Sequence, residues 1–353
     1  MSTEKKKLSE FISEYSVRNK SREDIPVYSV SNEKGFCRDY FGRDLSSDDK
    51  SGYKIVPHGF FAYNPSRINV GSVACQFAEE KVIVSPLYVV FGTNDKMLNT
   101  YLLYYLKSKV GQDYIKAYAR GAVRNSFSIT KLGGLSVPAP DLSEQEAIVQ
   151  ELDSIKSIIR AKQQQISELE RLSMTIFYNM FGDPCTNNKN WDVKRIGEIG
   201  KFQRGGGFQK SDFVEEGFPC IHYGQIHMRF GSVTKKHLTC IPNVLAEKKG
   251  KIAKTGDVIL AITIEDLSGS CKCTAWWGDY DDAVSGHAAI LKHEQNPIFL
   301  SYYFRTNAFS AAKERYAHGF KVTEITPDDI SKISIYLPPI ELQKQFADIV
   351  LDI

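Results

Sequence analysis

Three absences bound this chain. No apolar run reaches the roughly 20 residues needed to cross a bilayer, and the N-terminus, Met1-Ser2-Thr3-Glu4-Lys5-Lys6-Lys7, is polar with no apolar secretion segment behind it. No Gly-x-x-x-x-Gly-Lys-Ser/Thr phosphate loop occurs, and no Gly-x-Gly-x-x-Gly follows a candidate strand; Gly205-Gly206-Gly207 reads as a flexible run instead. An excess of one charge sign is also missing: 45 Lys and Arg against 42 Asp and Glu leave a net +3 over 353 residues. That balance neither demands nor excludes nucleic acid, because a binder needs positive charge gathered on one face rather than in excess overall. Seven cysteines, an odd number without a regular framework, fit reduced thiols in a cytoplasm better than disulfides.

Enzyme signatures are incomplete. Cys220, His222, His227, His237 and Cys240 gather in the second half, with Cys271-Lys272-Cys273 beyond them. None forms the paired Cys-x-x-Cys spacing of a zinc site, and Cys220, inside a candidate strand, reads as a small core residue. Tyr63-Asn64-Pro65-Ser66 faintly resembles the Asn-Pro-Pro-Tyr box of amino-methyltransferases. It lacks the second proline and the aromatic, and no glycine-rich cofactor loop precedes it.

What is present is an internal duplication. Residues 101–155 and 299–353 lie in one ungapped register, offset by 299 − 101 = 198 positions. Leu102-Leu103-Tyr104-Tyr105 faces Leu300-Ser301-Tyr302-Tyr303, and Tyr118-Ala119-Arg120-Gly121 faces Tyr316-Ala317-His318-Gly319. Pro140 faces Pro338, Gln145 faces Gln343 and Ile155 faces Ile353. A repeat of this length is a whole domain copied, not a solenoid unit of about 20–50 residues.

The fold class read from this pattern is α+β: two similar α/β domains separated by a long coiled-coil-forming helix. The expected divisions are 1–140, 141–184, 185–339 and 340–353. In the first domain Pro26–Val30, Phe60–Tyr63, Ser72–Phe77 and Tyr88–Phe91 read as strands. Helix follows from Leu98 to about Ala119, jointed at Gly111, and a short strand at Leu135–Val137 closes at the prolines. In the second domain the strands are Pro219–Tyr223, Asp257–Ala261 and Ala288–Leu291, with helix from Ile298 to about Ala317 and a closing strand at Ile333–Leu337. From Asp141 to Met180 there is neither Gly nor Pro. Steps of four and three give Ile148, Leu152, Ile155, Ile159, Lys162, Ile166, Leu169, Ser173, Ile176 and Met180, eight of the ten apolar. This is a coiled-coil seam on a helix roughly 58 Å long, stopped by Gly182-Asp183-Pro184. A second helix starts near Glu341; its counterpart runs 25 positions past Ile155, to Met180, so this second connector is the shorter.

Loop residues suited to DNA recur in both domains. Binding takes cations for phosphate and forked polar side chains for base edges. Tyr63, Asn64, Arg67 and Asn69 leave a strand together, and Arg120, Arg124 and Asn125 flank Gly121. In the second domain Arg204, Gln209 and Lys210 bracket the glycine run, and His222, Tyr223, Gln225, His227 and Arg229 form a dense cluster. His318 and Lys321 occupy the site equivalent to the stretch from Arg120 to Arg124. Trp276-Trp277 reads first as core packing and second as a stacking surface.

Taken in order, these segments resemble the specificity subunit of type I restriction-modification enzymes over essentially the whole chain. Gly52–Ser72 is similar to one class of target-recognition domain. Leu135–Pro140 followed by Glu144-Gln145-Glu146-Ala147-Ile148 resembles the family's entry into its long helix, and Phe181-Gly182-Asp183-Pro184 the exit. Gly217–Ile221 with Tyr223-Gly224-Gln225-Ile226 looks like the opening of a second recognition domain. The resemblance implies that each domain reads one half of a split double-stranded DNA sequence and that the helices set the spacing. It implies a seam that docks two methyltransferase subunits carrying S-adenosylmethionine, and a motor-nuclease subunit using ATP and Mg. It implies no cofactor, metal or bond chemistry in this chain, and a cytoplasmic protein without membrane contact. In the family the two helices pair antiparallel; here the seam meets only Leu342–Ile353, so the free stripe is expected to pair with another copy or to stay on methyltransferase subunits. A coiled-coil scaffold between proteins is the alternative binding module. A zinc enzyme or degenerate methyltransferase is the alternative of another class.

Overall fold

The computed structural model describes residues 4–38, 49–119, 127–264, 271–316 and 323–353. The chain forms two compact units, Met1–Lys162 and Gln163–Ile353.

The first unit is built on a four-stranded antiparallel sheet in the order Ile12–Glu14, Val89–Thr93, Phe61–Tyr63, Val73–Cys75. Strand alternation sends successive side chains to opposite faces, and here both faces are covered. Phe61, Tyr63, Val73 and Phe91 pack with Leu102, Leu106, Ile115 and Phe127. Ala62, Ala74 and Val90 point the other way, into Val30, Val56, Val82 and Val84. Two antiparallel strand pairs supply that second layer: Ser29–Ser31 with Gly35–Cys37, and Lys54–Pro57 with Lys81–Val84. The helical stretch breaks at Ser108, between Asn99–Lys107 and Lys109–Ala119, not at Gly111. Gly111 lies inside the second helix, where a Cβ would stand 2.4 Å from the Tyr105 carbonyl oxygen; its smallness permits a close approach rather than a joint.

The second unit repeats the plan. Its sheet runs Gly200–Arg204, Ala288–His293, Val258–Ala261, Cys273–Trp276, and adds a parallel fifth strand, Val233–Thr234. Helices Pro297–Tyr303 and Asn307–Glu314 pack on one face through Ile298, Phe299 and Phe309. Trp276 is wholly buried on the other face, with Ile221, Ile259 and Ile290. A second sheet orders Thr239–Ile241, Phe218–Ile221, Asp282–Val284 and Ile252–Ala253.

The correspondence holds down to single hydrogen bonds. Gln145 is fully buried; its Oε1 accepts from Leu98 N–H at 2.8 Å and its Nε2 donates to the Lys96 and Pro140 carbonyls, each at 2.9 Å. Gln343, also fully buried, accepts from Asn296 N–H at 3.0 Å and donates to the Pro338 carbonyl at 2.8 Å. All three positions are 198 apart. Each glutamine ties the start of its helix to the turn before an earlier helix of the same unit. Buried amides of this kind are costly to leave unmade. Gly59 and Gly256, at φ +81° and +92°, form matching bulges opposite Gln76 and Trp276. Ser128 and Thr326 cap the same short helix in each copy.

One helix, Leu142–Phe181, runs through 40 residues, about 60 Å at 1.5 Å per residue. Its first turns bury Gln145 and Val149 and its last bury Ser173, Phe177 and Phe181. Phe177 stacks on Phe299, and Phe177 and Phe181 otherwise meet Phe299 and Phe346 edge to face, at centroid distances of 4.9–5.7 Å. At that end Ile176 and Met180 are only half-buried, beside the core rather than in it. Every residue from 153 to 172 is exposed. Ile155 is 52% exposed, Ile159 50%, Ile166 58% and Leu169 42%, an uncovered apolar stripe. No helix among the described residues is long and apolar enough to cross a membrane.

Candidate nucleic-acid interface

In the first unit the strand Phe61–Tyr63 leads into a tight turn. Asn64 Oδ1 accepts the Ser66 N–H at 3.0 Å, an Asx turn that hands the chain to the short helix Ile68–Val70. Ile68 is fully buried and anchors that turn, while Arg67 and Asn69 on either side are exposed. Gly71, at φ +86°, closes it. Tyr63 departs from the expectation. It is wholly buried against Phe91 and Phe127, and its hydroxyl donates to the Phe127 carbonyl at 2.9 Å. Burial pushes its phenol well above the usual range. Tyr63 is a core residue and is withdrawn from the contact set. Arg120, Arg124 and Asn125 lie outside the described residues, as do His318 and Lys321.

In the second unit the first two glycines of the run sit in close backbone contacts. A Cβ on Gly205 would lie 2.0 Å from the Ser285 carbonyl oxygen and one on Gly206 1.9 Å from that of Lys249; Gly207 alone faces open space. The first two glycines therefore let three backbone segments touch. Arg204 is held from outside that contact, Nε to the Gly286 carbonyl at 3.0 Å and Nη2 to Glu324 Oε1 at 2.9 Å.

Beyond Gly207 opens a cavity of about 520 Å³ lined by Phe208, Gln209, Lys210, His222, Tyr223 and His287. His222 caps the helix Tyr223–Met228, its Nδ1 accepting the Gly224 N–H at 3.1 Å. Burial first, then the nearby Lys210 and His287, pushes its pKa down to about 4. The ring is thus neutral at pH 7, and with Nδ1 an acceptor its proton sits on Nε2. Phe213, Tyr223 and His287 extend the aromatic wall, with Tyr223 and His287 centroids 5.1 Å apart. Aromatic rings inclined to one another, with the neutral His222 ring and Lys210 among the lining residues, offer ring faces and edges, a hydrogen-bond donor and a cation together.

The dense cluster after it divides. Gln225 accepts from His222 N–H and donates to Thr239 Oγ1, both at 2.9 Å, so its amide is tied into the fold and is withdrawn from base reading. His227 is half-buried, and its carbonyl accepts from Lys272. Arg229 is exposed, and neither it nor Lys210 makes an ion pair among the described residues. His287 escaped sequence reading because it sits alone in a Gly286-His287 turn; only the fold brings it to Tyr223. The thiols of Cys220 and Cys273 are each pushed up to about 11 by burial.

The family model described as "Type I restriction modification DNA specificity domain" matches residues 6–171 and 188–353. Among curated proteins the chain is similar to the type I restriction enzyme MjaVIII specificity subunit of Methanocaldococcus jannaschii, 23% identical over 298 residues, covering 79% of this chain and 68% of that protein. It is also similar to the putative MjaX specificity subunit of the same organism, 24% identical over 331 residues, 86% of this chain and 73% of that one. Among solved structures, the HsdS subunit from Thermoanaerobacter tengcongensis is 17% identical, overlapping 99% of this chain and 88% of its own with a TM-score of 0.42. The S subunit of a type I restriction-modification system from M. genitalium is 12% identical over the same shares, with a TM-score of 0.45. Those overlaps are too loose to place any residue of this chain.

Proposed function

We propose a function from one premise: this chain belongs to the type I restriction modification DNA specificity family, whose model takes in both repeats. It is the non-catalytic DNA specificity subunit of a type I restriction-modification system, and part of such a complex. Each unit reads one half of a bipartite double-stranded site, and the long helix sets the spacer between the halves. Arg67 and Asn69, with Asn64 shaping their turn, serve the first half. Gln209, Lys210, Tyr223 and Arg229, with His222 and His287 behind them, serve the second. Arg204 is a positioning residue there. Arg120, Arg124, Asn125, His318 and Lys321 stay in the proposal on their sequence positions alone. Methylation and cleavage belong to partners: two methyltransferase subunits carrying S-adenosylmethionine and a motor-nuclease subunit with ATP and Mg.

The observation that carries this is a shared scaffold bearing different surfaces. Gln145 and Gln343, the glycine bulges and the helix caps coincide, while the second unit alone adds the edge strand Val233–Thr234 and the aromatic cavity beside Gly207. Two copies kept alike inside and unlike at their loops suit two similar acts of recognition on two different sequences. The test is binding to duplexes in which one half-site at a time is scrambled. Arg67→Ala should lose discrimination at one half and Arg229→Ala at the other; loss at the same half by both defeats the division of labour. Affinity should also fall steeply with salt, as phosphate contacts release counterions, which a protein-only scaffold has no reason to do.

The exposed stripe through Ile155, Ile159, Ile166 and Leu169, flanked by Ile148, Leu152, Ile176 and Met180, supports a protein partner on the helix. Methyltransferase subunits are assigned to it. Pairing with a second copy is the other occupant, and light scattering of the chain alone across a wide concentration range separates them.

A further inference from the structure

In the second unit the outer strand Cys273–Trp276 is covered. Ala275 N–H donates to the Ser232 carbonyl and Trp277 N–H to that of Thr234, both at 2.8 Å, so Val233–Thr234 lies parallel along that edge. The equivalent strand of the first unit, Val73–Cys75, is the end of its sheet. The register is fixed by the matching bulges: Gln76 N–H donates to Phe60 as Trp276 N–H donates to Asp257. Cys75 and Phe77 therefore stand where Ala275 and Trp277 stand, 200 positions earlier, with their N–H groups turned outward. Neither meets an acceptor among the described residues.

Alongside this edge runs a cleft of about 700 Å³. Its apolar wall includes Phe36, Val73, Phe77, Leu103 and Tyr104, and it reaches Asp153 and Lys156 of the long helix. Phe77, 46% exposed, stands at its mouth. Lys156 lies over the Tyr104 ring at 3.9 Å, and Tyr104 donates to Asp153, so the helix forms part of the rim. An unpaired strand edge beside an apolar trough is the arrangement that takes up an added strand, with main-chain bonds giving affinity and the trough giving side-chain choice.

We propose that this edge receives an extended segment of the methyltransferase subunit, lying parallel to Val73–Phe77 as Val233–Thr234 lies along Cys273–Trp277. The occupant's chemistry follows from its counterpart Ser232-Val233-Thr234: short, uncharged and β-branched, with two free carbonyls for Cys75 and Phe77. It is assigned to the methyltransferase because the cleft runs onto the helix that the reading above gives to that subunit. The inference rests on that reading.

Backbone hydrogen exchange on the full chain, alone and with its methyltransferase subunit, tests it. In the free chain the Cys75 and Phe77 amides exchange quickly while Ala275 and Trp277 are protected. In the complex the first pair slows by at least about tenfold. Protection of Cys75 and Phe77 in the free chain overturns the proposal, since the edge is then covered from within. A complex that forms and leaves them fast overturns it too, while leaving the assignment of the helix intact. If no complex forms, the reading of the helix fails first and the inference with it. Two variants identify the occupant. With p-benzoylphenylalanine in place of Phe77, irradiation should join the chain to the methyltransferase subunit; a product joining two copies of this chain counts against it. Ala78→Arg, on the exposed lip, should weaken the complex about tenfold with exchange elsewhere unchanged; undiminished affinity rejects the cleft as the seat.

Discussion

The two units differ least where they are buried and most where they end. Both carry the clasp of a buried glutamine, the bulge at a left-handed glycine and the capped helix before the closing strand. At the sheet edge and in the loops they part: the second unit adds an edge strand, widens the second layer to a four-stranded sheet and opens an aromatic cavity, and the first leaves an edge and a cleft. The lesson is physical. Losing the partner of a buried polar group is costly, so the clasp survives duplication, whereas exposed loops drift at little cost and can take up new targets.

The sharpest break in that comparison lies within the long helix. Phe177→Ala empties an aromatic cluster and should cost about 3–5 kcal/mol in unfolding experiments. Ile159→Ala, in the exposed stretch, should change the stability of the free chain by no more than about 0.5 kcal/mol. Equal losses would mean that the stripe is covered in the free chain. Next come the clasps. Gln145→Ala and Gln343→Ala should each cost about 2–3 kcal/mol, since each strands a buried N–H and at least one carbonyl. A large inequality between them would deny their equivalence. Smaller still is the binding loss from Lys210→Ala, about 1–2 kcal/mol at the second half-site with a shallower salt dependence.

A last contrast is one of pH. Asp282 is fully buried in the second unit with no hydrogen-bond partner among the described residues, and burial pushes it up to about 8. The equivalent residue of the first unit, 200 positions earlier, is the buried Val82. Between roughly pH 4, the ordinary carboxylate range, and pH 8 the folded chain holds a proton that the unfolded chain has released. Unfolding there sheds a proton, so stability falls as pH rises through that window. Asp282→Asn should remove this slope, read as the difference in urea midpoint from the parent chain at pH 5 and pH 8. An unchanged difference would place a charge partner beside the carboxylate.

Sequence period and spacing made the long helix, the closing strands and the duplication legible, because apolar residues recur at fixed steps there. They did not reveal which helix positions the domain cores claim: the four-three count selects Ile176 and Met180, whereas Phe177 and Phe181 are inside. Lys5–Lys7 pairs with Ser136–Pro138 as a strand, yet three exposed lysines carry no alternation to announce it. Tyr63 read as a contact because a hydroxyl beside Asn and Arg resembles a site, and only the Phe127 carbonyl explains it. His287 was silent because its meaning depends on a turn that meets Tyr223 through the fold.

The central claim is that two unlike readers share one helix that sets their spacing on DNA. Seven residues inserted after Lys162, two helical turns in the exposed stretch, extend the helix by about 10 Å. Adenine methylation should then be mapped with the methyltransferase subunit present. The account predicts both half-sequences unchanged and a spacer longer by about 3 base pairs; an unaltered spacer with methylation retained would contradict it.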